Sequence, residues 1–158
     1  MFESGAYVAE HVSPLRESQV QPNGVDLTAG RIEKPIDAGH IGRGGKTIGD
    51  RQEIPPSAVS DDEVTYYLPP GAYIVRYGET VHVPDEHVGF ILPRSSLMRN
   101  GAMLHSAVWD AGYEGQGEGL LTVYHDIEIA QDARIGQFIL ARANHEGTYD
   151  GEYQGESA

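Results

Sequence analysis

Residues 91–119 read ILPRSSLMRNGAMLHSAVWDAGYEGQGEG. An apolar run leads into a polar stretch long enough for one helical turn. A second apolar run follows, then an aspartate before a glycine turn and a glycine-spaced hairpin. No piece keeps a helical period for long, so the segment reads as strand, helical turn, strand and hairpin. Ser95 or Ser96 can cap the turn and Gly101 can end it.

The same punctuation runs through the chain. Twenty glycines and nine prolines cut 158 residues into short pieces rich in Val, Ile, Leu and Tyr. Strands are predicted over residues 72–77, 80–83, 87–92, 103–108, 120–125 and 135–142, with turns at PPG, YGET, VPDEH and DAGYEG. The fold class is all-β, a distorted jelly-roll or β-clip-like barrel of short strands with one short helical turn. Residues 1–143 form a single β domain, long enough to bury about two-thirds of the surface its unfolded chain exposes. Residues 34–60, rich in Gly and Pro, are expected to be an irregular arm. Residues 144–158, ANHEGTYDGEYQGESA without its first residue, are expected to be a flexible C-terminal lid, mobile on their own.

The 11 Lys+Arg against 24 Asp+Glu give a net charge of -13, which repels free nucleic acid and anionic membranes. Only Lys34 and Lys46 are lysines, so nine of the eleven cations are arginines. This balance fits a salt-rich cytoplasm in which self-repulsion is screened. The absence of cysteine removes disulfides, thiolate nucleophiles and Cys-type zinc sites. The start of the chain has neither a basic segment nor an apolar run, which points to a cytoplasmic protein. Seven histidines show neither HxH nor HExxH spacing, and GRGGKT lacks the spacing of a phosphate-binding P-loop.

Four pieces can carry chemistry. In PRSSLMR, hydroxyls at the start of a helical turn flanked by Arg94 and Arg99 suit phosphate oxygens; alternatively, Ser95 only caps the turn and the arginines pair with surface carboxylates. In VWDAGYEG, Asp110 either orients and deprotonates a water or serves as an ordinary turn aspartate. Tyr113 is a half-buried hairpin residue or a platform for a sugar ring. Asp26, in what reads as a glycine-flanked bend of PNGVDLTAG, can reach a Mg²⁺ through water or sit in an exposed turn. Gln137, in ARIGQFILAR, is an amide among apolar residues and needs a partner, either phosphate or a neighbouring strand.

The order GVDL, PRSSL, VWDAGYEG, ARIGQ and a Gly- and Tyr-rich tail resembles the dUTPase and dCTP deaminase superfamily, with SSLMRNGAMLH and YDGEYQG most like its archaeal members. The resemblance implies a homotrimer with active sites at subunit boundaries and a tail closing over nucleotide. It also implies that dUTP is cleaved to dUMP and pyrophosphate, with Mg²⁺ on the triphosphate. Asp110 would activate the water, and Tyr113 would pack on the deoxyribose. Arg94, Ser95, Ser96, Arg99 and Gln137 would bind phosphate, Asp26 would place the hydrated metal, and Tyr149, Tyr153 and Gln154 would close the lid. Backbone groups around residues 105–108 would read uracil. The tail departs from the pattern at Glu152, where deaminase-like tails often carry a lysine.

Two chemistries share this pattern. The deaminase proton shuttle is a glutamate on the strand after the aspartate turn, and the matching residue here is Thr122, which cannot shuttle a proton. That favours the dUTPase activity over dCTP deamination. Glu118 is the carboxylate that would restore deamination, alone or in a bifunctional enzyme, if the glycine-rich hairpin shifted the alignment. A non-catalytic nucleotide-binding regulator is the third alternative.

Overall fold

The computed structural model describes residues 1–60 and 62–156. Six strands form the continuous path of its main, eight-stranded antiparallel sheet: β1 (Gly24–Pro35), β2 (Gly71–Tyr77), β3 (His87–Pro93), β4 (Ala102–His105), β5 (Glu118–Val123) and β6 (Arg134–Arg142). Their spatial order is β3–β6–β1–β2–β5–β4. An amino-terminal helical turn, α1 (Gly5–Ala9), precedes these strands. The edge strands β3 and β4 touch each other and are joined by the short helix α2 (Ser95–Arg99), so the sheet curls into a nearly closed barrel. Closure leaves little unpaired edge for another chain to extend. The all-β, barrel-like expectation with one short helical turn in this segment therefore holds.

Alternation explains most of the strands. In β2, Tyr73, Val75 and Tyr77 point inward between more exposed residues. In β6, Gly136, Phe138 and Leu140 alternate inward, and Ile135 is buried where the register shifts between Arg134 and Gly136. Burying each large apolar side chain contributes about 1.5–3 kcal/mol.

β1 was not legible as a strand, because Val25 to Ala29 are buried on both faces and do not alternate. Asp26 accordingly lies inside a strand and not in a glycine-flanked bend. Buried Glu79 holds this strand, accepting bonds from the Thr28 backbone N–H at 2.8 Å and from Gln19 Nε2 at 2.7 Å.

Three further differences bear on the site. The strand expected over 103–108 ends at His105, because the chain then crosses to β3, where Trp109 and Gly89 exchange backbone hydrogen bonds of 2.8 and 3.1 Å. The arm at 34–60 holds a hairpin, His40–Gly42 with Gly45–Thr47, and the strand Arg51–Glu53 paired to β1. Among the described residues the tail has no strand, yet residues 149–156 are hydrogen-bonded across the barrel body rather than detached. Ser157 and Ala158, the end of the expected lid, lie outside the described residues.

Candidate active site

A cavity of about 240 Å³ opens beside the turn at Asp110 and is lined by Trp109, Asp110, Tyr113, Gly117, Glu118, Tyr149, Tyr153 and Glu156, with Ala107 and Val108 at its edge. The turn is fixed from both sides. Trp109 is bonded to β3; Val83 donates to the Tyr113 carbonyl at 2.9 Å, and the Val83 carbonyl accepts from Gly112 N–H at 2.8 Å. Gly112 has φ +86°, a conformation that favours glycine, and lets Tyr113 N–H close back on the Asp110 carbonyl at 3.2 Å. Asp110 is thereby held exposed at the cavity rim while Tyr113 is buried at 6% exposure.

Aromatic packing sets the wall. Tyr113 meets Trp109 edge-on at 4.9 Å and Tyr149 edge-on at 5.4 Å. Burial, with repulsion from Glu156, pushes the Tyr113 hydroxyl up to about 12, so it stays protonated at neutral pH. Trp109 Nε1 donates to Ser106 Oγ at 3.0 Å. Gly117, at φ +63°, lies where any Cβ would collide with the Trp109 ring.

The floor is charged. Glu118 accepts from Arg51 at 2.6 Å and from Arg76 at 2.9 Å. Burial alone would raise its carboxyl, but the two guanidiniums together hold it below its ordinary value. Glu156 accepts from the same Arg76 at 2.9 Å, and there burial and Glu118 win, so its carboxyl lies above its ordinary value.

Of the expected lid residues, Tyr149 and Tyr153 line this cavity and Gln154 bonds to the turn beside it. Tyr149 N–H donates to the Ala111 carbonyl at 2.7 Å, and Gln154 Nε2 donates to the Gly112 carbonyl at 3.0 Å. The Tyr153 hydroxyl accepts from Lys46 Nζ at 2.9 Å. All three residues expected to close the lid are thus gathered around the Asp110 turn.

The remaining expected residues form a second group. The antiparallel register sets Leu92, Gln137 and Asp26 in one row across β3, β6 and β1. Arg94 precedes α2 and its Nε lies 3.1 Å from Asp26 Oδ2; Arg134 reaches the same oxygen at 3.3 Å. Asp26 is only 1% exposed, and burial raises its carboxyl despite both arginines. Ser95 and Ser96 are exposed first residues of α2, which has Arg94 as its N-cap and no side-chain capping bond, so neither serine is the cap. Gly101, at φ +77°, follows the helix as expected. Arg99 is exposed in its last turn. Within one chain, none of this group lines the Asp110 cavity.

Sequence reasoning missed Trp109, Arg76, Arg134, Glu156 and Lys46 as parts of the site. Arg76 carried a signal: a cation inside the alternating apolar run AYIVRY needs buried partners. Thr122, facing Met103 and Ala72 in the sheet, does not line the cavity; Glu118 does.

Comparison with known proteins bears on this geometry. The family model described as dCTP deaminase-like matches residues 3–143. A probable deoxyuridine 5'-triphosphate nucleotidohydrolase of Halobacterium salinarum is 55% identical over 99% of this chain and 95% of its own. One of the same description from Aeropyrum pernix is 43% identical over 87% of this chain and 86% of its own. The deoxyuridine 5'-triphosphate nucleotidohydrolase of Methanocaldococcus jannaschii is 35% identical over 89% of this chain and 90% of its own. Among solved structures, the 2'-deoxycytidine 5'-triphosphate deaminase of Agrobacterium tumefaciens superposes with a TM-score of 0.65 at 19% identity, over 91% of this chain but 48% of that one. That likeness concerns the fold.

Proposed function

Because this chain belongs to the dCTP deaminase-like family, we propose that it hydrolyses dUTP to dUMP and pyrophosphate, limiting uracil in DNA and supplying dUMP for thymidylate. The observation that carries the reading is the rigid turn that holds Asp110 at the rim of a cavity walled by buried Tyr113. Asp110 accepts a proton from the attacking water as its oxygen bonds to the α-phosphorus. The bond from that phosphorus to the bridging oxygen breaks, and pyrophosphate leaves. An aspartate is a weak base, with an ordinary pKa near ~3.9, so in-line positioning and charge neutralisation must supply much of the rate.

Tyr113 would carry the deoxyribose, where a 2'-hydroxyl would lose its water without gaining a partner. Backbone groups of residues 105–108 and the following turn would read the uracil edge. Arg94, Ser95, Ser96, Arg99 and Gln137 would donate to phosphate oxygens, and Tyr149, Tyr153 and Gln154 would close the lid. The residues assigned to phosphate do not line the Asp110 cavity within one chain, a separation that supports a homotrimer in which neighbouring copies complete each site. Exposed Leu92, Met98 and Val108 give such an assembly apolar surface to bury.

Among the described residues no cluster of three His, Cys, Asp or Glu could cage a metal, and Asp26 Oδ2 already meets two guanidiniums. Mg²⁺ fits this chain only as a cation carried by the triphosphate and touching Asp26 through water. There it would neutralise phosphate charge. Among the described residues no helix is long and apolar enough to cross a membrane, and the charge of -13 disfavours nucleic acid; a cytoplasmic location completes the proposal.

Deamination is not favoured. The Thr122 hydroxyl is too weak an acid and too weak a base to shuttle a proton near neutral pH, and Glu118, the carboxylate of that strand, is tied as an anion to Arg51 and Arg76. Asp110→Asn is the direct test of the assigned role. Turnover should fall at least about a hundredfold while a non-hydrolysable dUTP analogue still binds; a variant with wild-type turnover would refute it.

A further inference from the structure

Residues 143–156 carry Glu146, Asp150, Glu152 and Glu156 but no lysine or arginine, so any cation holding this tail comes from elsewhere in the fold. One comes from the hairpin of residues 40–47. Its six strand residues are all exposed, Ile41 to 91%, and a lone two-stranded hairpin is marginal in water. Lys46, on the second of these strands, spans to the tail. Its ammonium donates to the Tyr153 hydroxyl at 2.9 Å, lies 3.2 Å from a Glu152 carboxylate oxygen and stands 4.3 Å from the centroid of the Tyr153 ring. These groups satisfy one ammonium in three ways: hydrogen bond, ion pair and cation–π contact. Tyr153 in turn lines the Asp110 cavity.

We propose that Lys46 is a positioning residue for the lid: beside Arg76, which holds Glu156 from the barrel, the exposed hairpin supplies a second positive charge to the acidic tail and fixes Tyr153 as a wall of the nucleotide cavity. The hairpin and tail order one another, because each lacks a core of its own and meets the other at this ammonium. The consequence for turnover rests on the dUTP reading above; the contact between hairpin and tail does not. The ammonium and carboxylate are both well exposed, at 41% and 70%, so the expected effects are moderate.

The test measures hydrogen exchange of the Tyr149 and Gly155 amides, both bonded to the body, in full-length Lys46→Met, Lys46→Arg and the charge swap Lys46→Glu with Glu152→Lys. Lys46→Met should lose about two- to fivefold of protection without nucleotide and raise KM for dUTP by a similar factor, with kcat changed less. Lys46→Arg and the charge swap should recover most of the protection. Unchanged exchange in Lys46→Met, or loss that neither rescue variant restores, would overturn the proposal while leaving dUTP hydrolysis standing. If Lys46→Met loosens the tail and the rescues restore it, but the wild type does not hydrolyse dUTP, the latch stands and the nucleotide reading falls.

Discussion

The Asp26 carboxylate is 2% exposed and meets the Arg94 guanidinium at 3.1 Å, yet its carboxyl stays above the ordinary value even with Arg134 as a second cation beside it. Burial therefore costs this carboxylate more than the two arginines return, and the pair stabilises the fold little. What the contact does is tether Arg94 at the start of α2. Asp26→Asn should shift the melting temperature by only about 3 °C while raising KM for dUTP about tenfold, as Arg94 is released. Thermal melts beside steady-state kinetics check this. A large drop in melting temperature with unchanged KM would show that the pair is structural.

Gly117 and Trp109 make a second test. Gly117→Val places a branched side chain at φ +63° and against the indole ring, and should cost about 2 kcal/mol or more. Trp109 is the sole tryptophan of the chain, so its near-ultraviolet dichroism and fluorescence report on the cavity wall without ambiguity. An unchanged spectrum and melting temperature would mean that the hairpin does not press on the ring.

Lid docking should depend on pH through Glu156. Its carboxyl is raised above 4.5 in the docked tail, by burial first and Glu118 second, against Arg76 and Arg51. A raised acid favours docking fully below the value of the free group and loses that contribution as pH rises through the docked value. Glu118 runs the other way. Its contribution is present above 4.5 and is lost as pH falls through its depressed value. Tail protection, corrected for intrinsic exchange, should therefore tighten as pH falls from neutral toward 4.5, with the Glu118 contribution lost only in stronger acid. Glu156→Gln should flatten the first change. Protection that loosens steadily over the same interval would contradict the assignment.

The charge of -13 leads to a salt prediction. Self-repulsion among the carboxylates is screened only at high ionic strength, so dialysis from molar KCl to about 0.1 M should lower the melting temperature. A melting temperature independent of KCl would remove the salt-rich cytoplasm from the account.

Much of this was legible in the sequence for a physical reason. Strands with one face inward, such as β2 and β6, alternate, and the turn at Asp110 announces itself through Gly112. The central strand β1 was hidden, because a strand buried on both faces loses its period, and Asp26 was consequently put in a bend. Asp110, Tyr113, Tyr149, Tyr153 and Gln154, named from motif order, do gather at one turn. Arg76, Glu156 and Lys46 were not, because their places depend on pairings across 80 and 107 residues of chain that no local pattern encodes. The arm looked irregular because three-residue strands fall below the length at which alternation can be read.

The most direct test of the central claim is to incubate the purified protein with dUTP and, separately, dCTP, in Mg²⁺ and high KCl, following dUMP, pyrophosphate and ammonia together. The account predicts stoichiometric dUMP and pyrophosphate from dUTP and no ammonia from dCTP. Ammonia from dCTP would contradict it, make the Arg51- and Arg76-bound Glu118 the first residue to re-examine, and return the chain to the deaminase branch of its family.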